Sequence, residues 1–195
     1  MTNIFRSPFL FGSVLVLLAV LAGAGPSAQP AASKQAIAHR GASGYAPEHT
    51  AAAYRLAIEQ KADFVEPDLA VTKDNILICL HDDTLERTTN IADVFPDRAS
   101  ANTNATESTR RPGKHWLAND FTLAEIKTLD AGKWFDKKLA GEKILTFEEM
   151  IALVRGKAGI YPELKSPPLY TARGVDMEKL FVASSRSTAS TRPPR

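Results

Sequence analysis

The chain has 195 residues and a formal net charge of +2, with 44% of its residues hydrophobic and 24% charged. That is the composition of one globular domain, and so even a balance argues against a dedicated nucleic-acid binder, which carries a marked basic excess. A single cysteine, Cys79, excludes an intramolecular disulfide and a thiolate metal cluster.

Residues 1–33 read as a signal peptide with a short linker. Arg6 stands in the head, an apolar core runs from Phe9 to Ala22, and small residues follow, with a cut expected after Ala24 or Ala28. The core is short for a membrane span. No stable span is therefore expected in the mature chain, and the expected address is a periplasm or the cell exterior; an uncleaved membrane anchor is the alternative.

Residues 34–183 carry four short apolar runs, QAIA, DFVEPDL, ILICL and AGIYPELK. Between the first two, PEHTAAAYRLAIEQKA places Ala53, Leu56 and Ala57 at helical spacing. Between the second and third, AVTKDN is too short for a crossover helix, and Lys73-Asp74-Asn75 reads as a turn. Asn90 to Asp120 (90–120) has no apolar period and reads as an insertion loop. It carries Arg98, Arg110, Arg111, Lys114 and His115, either as a solvated surface or as a basic flap over an anionic substrate. Two capping boxes, Thr122 with Glu125 and Thr146 with Glu149, open further helices. In the second, Phe147, Met150, Ile151 and Val154 make a stripe that belongs to a core. Residues 184–195 are low in complexity and read as a disordered tail. Strands alternating with helices predict an α/β fold with a parallel sheet.

Every apolar run meets ionisable residues. The first ends in His39-Arg40, the second carries Glu66 and Asp68, the third ends in His81-Asp82, and the fourth carries Glu163 and Lys165. Carboxyl ends of parallel strands share one face, so these clusters are expected to converge. Glu66 and Asp68, two apart, point the same way on a strand. Paired carboxylates repel unless a cation intervenes. With Glu163 they offer three hard oxygen donors suited to Ca²⁺ or Mg²⁺; the plainer alternative is strand-end salt bridges to Arg40 or Lys165. His39 and His81 suit an acid–base pair, and Arg40 and Lys165 suit an oxyanion. Together they read as metal-assisted hydrolysis of a phosphate ester.

The segments AHRGASGYAPEHT, FVEPDLAVTKDN, HDDTLERTT and YPELK, in that order, resemble the glycerophosphodiester phosphodiesterase family. The resemblance runs from about Ile37 to Phe181 and includes FTLAEIKTLDAGKWF and ILTFEEMIALV. It implies a TIM-type barrel, active in lipid and glycerol metabolism, that hydrolyses small glycerophosphodiesters to an alcohol and glycerol 3-phosphate. By that resemblance His39 and His81 are the acid–base pair, Arg40 and Lys165 contact the phosphate, and Glu66, Asp68 and Glu163 hold a divalent metal. The chain departs from the family at His49, where Asn is common, and at Lys61 and Asn75, where Gly is common. Asn caps a helix better than His, so a local cost is expected at His49. A full barrel takes about 250 residues, and four strand-like runs supply only its first part. The expected fold is thus a partial TIM-type (β/α) barrel, a C-terminally truncated member. Two alternatives follow: a catalytically inactive fragment that at most binds metal or phosphate, and a phospholipase-like enzyme on membrane lipid.

Overall fold

In the run DFVEPDL, Pro67 has no N–H to give a ladder, and the run forms two strands rather than one. The computed structural model describes residues 34–100 and 113–190, with side chains to residue 186. The leader, Arg110 and Arg111, and the last five residues lie outside the described residues.

Strand β1 (Ile37–His39) pairs in parallel with β2 (Phe64–Glu66), with His39 opposite Glu66. After Pro67 comes β3 (Asp68–Val71), and β4 (Leu77–Cys79) returns antiparallel to it. The irregular join expected here is a hairpin, closed by Thr72 N–H on the Ile76 carbonyl (3.0 Å) with Asn75 at φ +63°. The fourth run breaks in the same way: β5 (Gly159–Ile160) lies parallel to β2, and beyond Pro162, β6 (Glu163–Leu164) lies parallel to β3 with Asp68 opposite Glu163. Backbone bonds carry the register across both breaks, Tyr161 N–H to the Val65 carbonyl and Glu163 N–H to the Pro67 carbonyl, each 2.9 Å. The two prolines therefore stand at one level. There, two three-stranded sheets meet, β1-β2-β5 and β4-β3-β6. No closed barrel forms among the described residues; the α/β expectation holds at the level of parallel strands and helices.

Helix α1 (Ala51–Glu59) follows the first strand, capped by Thr50, whose hydroxyl accepts from Ala53 N–H, and it buries Ala53, Tyr54 and Ala57. The expected helix start near His49 is thus one residue further on. Both capping boxes form, at α3 (Leu123–Ile126) and α4 (Phe147–Val154). The α4 stripe, Phe147, Met150, Ile151 and Val154, is buried as core.

Two expectations need correction. The 90–120 segment is not simply a solvated loop: α2 (Ile91–Val94) buries Ile91, and Trp116, Leu117 and Ala118 join the core. Leu117 also bridges to Thr84. Two of the basic residues that a flap would use are engaged within the fold: Arg98, exposed, pairs with Glu125 and lies over the Phe121 ring at 4.4 Å, and His115, buried, is held by Glu86 at 2.7 Å. The apolar residues there are too few for a period, which is why the pattern hid them. The tail, too, begins as structure: after α5 (Pro167–Ala172), helix α6 (Met177–Ser190) buries Met177 and sets Phe181 against Phe147, ring centroids 5.6 Å apart.

Candidate active site

Sequence reasoning placed the ionisable clusters at the carboxyl ends of four parallel strands. The structure gathers them differently. His39 and Glu66 end β1 and β2, but Asp68 and Glu163 begin β3 and β6 just past the proline level. His81 arrives because the hairpin brings the chain back, with Leu80 N–H bonded to the Asp68 carbonyl at 3.0 Å. One level of the molecule receives them all by two routes.

The His-Arg-Gly turn is tight. Arg40 and Gly41 both have left-handed backbones, φ +59° and +78°. A Cβ on Gly41 would stand 2.8 Å from Ala53, so the turn is pressed against α1. At Arg40 this conformation costs about 1–2 kcal/mol. It aims the Arg40 N–H at both the carbonyl (3.0 Å) and the Oε2 (2.9 Å) of Glu66. The same turn brings Arg40 Nε to 3.1 Å from Asp68 Oδ2, as an ion pair without hydrogen-bond alignment.

Glu66, Asp68 and Glu163 each place one carboxylate oxygen within 4.8 Å of the others. Glu66 and Asp68 are buried, and Glu163 is exposed. Lys165 Nζ donates to Glu163 Oε1 at 2.9 Å and stands 3.9 Å from Asp68 Oδ1. Asp68 Oδ1 is buried and accepts no hydrogen bond among the described residues. Burial and the neighbouring Asp68 charge push the Glu66 carboxyl up to about 7. Burial also opposes ionisation of Asp68, but the His49 hydrogen bond and the positive charges near it hold that carboxyl well below its usual range. Near neutrality the trio thus retains a proton that a cation would displace. Hard oxygens, a buried acceptor with no donor and a reluctant acid together fit a divalent metal.

His81 is held by a separate network. Its Nδ1 lies 2.7 Å from Asp82 Oδ1, and Asp82 Oδ2 accepts from Arg87 Nε at 2.6 Å. Arg87 also donates to both oxygens of Glu48, at 2.6 and 3.1 Å, and Glu48 accepts from Arg40 Nη1 at 3.3 Å. Burial opposes the charge on Asp82 and Glu48, yet the bonds to His81 and Arg87 hold both carboxyls low. His39 is exposed at the rim, and its ring makes no hydrogen bond or ion pair among the described residues.

His49, Glu48, Asp82 and Arg87 were not singled out as site residues by sequence reasoning. His49 does not cap α1. Its imidazole is buried, with Nδ1 2.9 Å from the Tyr54 hydroxyl and Nε2 3.1 Å from Asp68 Oδ2. A signal was present: His49, Lys61 and Asn75, the three departures from the family pattern, have φ of +61°, +61° and +63°. Asn and Gly are the residues that tolerate this backbone best.

Fold and site define first a class, an α/β protein with acids, imidazoles and cations gathered at one level of a parallel sheet. Residues 39–192 match the model of the glycerophosphoryl diester phosphodiesterase family. The chain belongs to that family. It is 40% identical over 156 residues to a glycerophosphodiester phosphodiesterase of Bacillus subtilis, covering 76% of this chain and 44% of that relative. It is 36% identical over 171 residues to one of Haemophilus influenzae, covering 76% and 44%. Among solved structures, it is similar to a glycerophosphodiester phosphodiesterase of Agrobacterium tumefaciens, with a TM-score of 0.55 at 33% identity, over 76% of this chain and 54% of that one. An Oleispira antarctica phosphodiesterase, solved with the product sn-glycerol-3-phosphate, gives a TM-score of 0.61 at 32% identity, over 83% and 54%. The chain spans about half the length of these relatives.

Proposed function

We propose that this chain carries the phosphodiester-cleaving site of a glycerophosphodiester phosphodiesterase, on part of a TIM-type (β/α) barrel, releasing an alcohol and glycerol 3-phosphate. The observation that carries the reading is the carboxylate trio, whose buried Asp68 Oδ1 accepts no hydrogen bond among the described residues, with the positive charges of Arg40 and Lys165 beside it. The family match and the product held by the Oleispira antarctica relative support the substrate class.

Glu66, Asp68 and Glu163 would hold Ca²⁺ or Mg²⁺, which when bound supplies positive charge to the phosphate oxygens. Arg40 and Lys165 bind and orient the same anion. Asp82, itself fixed by Arg87, accepts the His81 Nδ1–H and leaves Nε2 to move a proton at the reacting oxygen. His39, on the first strand, serves as the complementary partner. One imidazole takes the proton of the attacking oxygen as the new P–O bond forms; the other gives a proton to the departing alcohol as the ester P–O bond breaks. The leader-like residues 1–33 support an address in a periplasm or outside the cell. No described helix is long and apolar enough to cross a membrane.

The test is choline release from glycerophosphocholine by the 195-residue protein, with Ca²⁺ or Mg²⁺ and with chelator. Metal-dependent release is expected, and background release alone would defeat the reading. His39→Ala and His81→Ala are expected to lower turnover by about 10²–10⁴ with metal affinity kept, measured by steady-state kinetics beside calorimetric titration. The half-length match favours a second reading, a chain that binds metal or phosphate without turnover. Metal uptake with no choline released would select it.

A further inference from the structure

We infer that His49 is a positioning residue for Asp68: its Nε2–H occupies Oδ2, so that Oδ1, which accepts no hydrogen bond among the described residues, is turned toward the metal, and Tyr54 holds the imidazole in the tautomer this needs. The inference rests on the metal-binding reading above and extends it to two residues outside the ligand trio.

With a neutral imidazole, the form burial favours, these contacts leave one arrangement of protons. Asp68, held ionised, is an acceptor only, so at 3.1 Å the His49 Nε2 is the donor. Nδ1 then carries no proton and must accept. Its partner, the Tyr54 hydroxyl at 2.9 Å, is fully buried and keeps its proton; the Cys79 thiol also lies within reach of that hydroxyl, and an unprotonated Nδ1 is the stronger acceptor of its O–H. The imidazole is neutral, as burial favours. Remove the Tyr54 hydroxyl and the ring can place its proton on Nδ1, turning the Nε2 lone pair toward the Asp68 carboxylate. That repels the very oxygen it now holds.

The backbone explains why a histidine reaches this place. At φ +61°, His49 is in the left-handed region, one residue ahead of the Thr50 cap. Asn and His are among the few side chains that tolerate it. The turn directs the ring across to β3, while the first turn of α1 brings Tyr54 behind it. Asp68 is thereby fixed from one side by His49 and Arg40, each 3.1 Å from Oδ2, while Oδ1 accepts no hydrogen bond among the described residues and has Lys165 Nζ 3.9 Å away. Hydrogen bonds that orient a carboxylate ligand in this way commonly matter 10- to 100-fold in metal affinity.

The test is metal affinity, read by calorimetry with Ca²⁺ and Mg²⁺ and by Tb³⁺ luminescence, on the 195-residue protein. His49→Leu should weaken binding by about 10- to 100-fold. His49→Asn, which keeps an N–H donor and the backbone preference, should recover most of it. Tyr54→Phe, which touches no ligand, should weaken binding by a smaller factor. Should His49→Leu fail to fold, Tyr54→Phe and the ¹⁵N shifts of the His49 ring still decide. The wild-type spectrum should place the proton on Nε2, and Tyr54→Phe should move it. Wild-type affinity in both His49→Leu and Tyr54→Phe, or a proton resting on Nδ1, would overturn the inference and leave the proposed function standing. A wild-type chain that takes up neither metal nor Tb³⁺ would overturn both.

Discussion

The site contains two regions built on opposite terms. Around Arg87, every charge is answered: Asp82 and Glu48 each take a two-bond fork from one guanidinium, and His81 closes the set. Around Asp68, negative charge outruns its partners, one oxygen has no donor and Glu66 resists ionising. The first region ties its charges together pair by pair; the second sets three carboxylates side by side with Arg40 and Lys165 about them. The difference teaches where stability and where chemistry reside, a few residues apart.

Breaking the first region should have the largest effect on folding. Arg87→Ala strands two largely buried carboxylates and is expected to cost about 2–3 kcal/mol in urea unfolding. Arg87→Lys, which cannot fork, should recover only part. Completing the second region should act by mass action: Ca²⁺ or Mg²⁺ at 100 times its Kd should raise stability by about 2.7 kcal/mol, measured as a shift in Tm. Next comes a pH test of the first region. Asp82 and Glu48 have carboxyls lowered in the folded state, so their contribution is complete above the usual carboxylate range and is lost as pH falls below about 4. Urea midpoints at pH 6, 4 and 3 should fall more steeply in the wild type than in Arg87→Ala. The smallest effect is expected from Glu66→Gln, which relieves repulsion within the trio. At pH 8 it should raise metal-free stability by up to about 1 kcal/mol while the Tm gain from metal shrinks.

How much of this was readable beforehand follows from what each residue announces alone. His39, Arg40, Glu66, Asp68, His81, Glu163 and Lys165 stand out because ionisable groups at the ends of apolar runs are costly, and their gathering was expected. The reason given for it was incomplete. The second and fourth runs each read as one strand although Pro67 and Pro162 interrupt them, and that both breaks fall at one register depends on pairing between strands 95 residues apart. The link before β4 was too short for a crossover and announced an irregular join, but not that β4 returns antiparallel to β3. His49 and Arg87 act through partners elsewhere in the chain, and Glu48 and Asp82 looked like ordinary neighbours of the residues they support. The described parts of the 90–120 segment, 90–100 and 113–120, were missed for another reason: a few apolar contacts without a period are enough to pack a loop, and too few to announce it.

The facing prolines carry one more consequence. Two adjacent strands with no amide proton at the same height leave a gap in the weave of the sheet. Hydrogen exchange would trace protected cloth on either side of a row with nothing to exchange. That missing row of amide protons lies where Asp68 and Glu163 face one another.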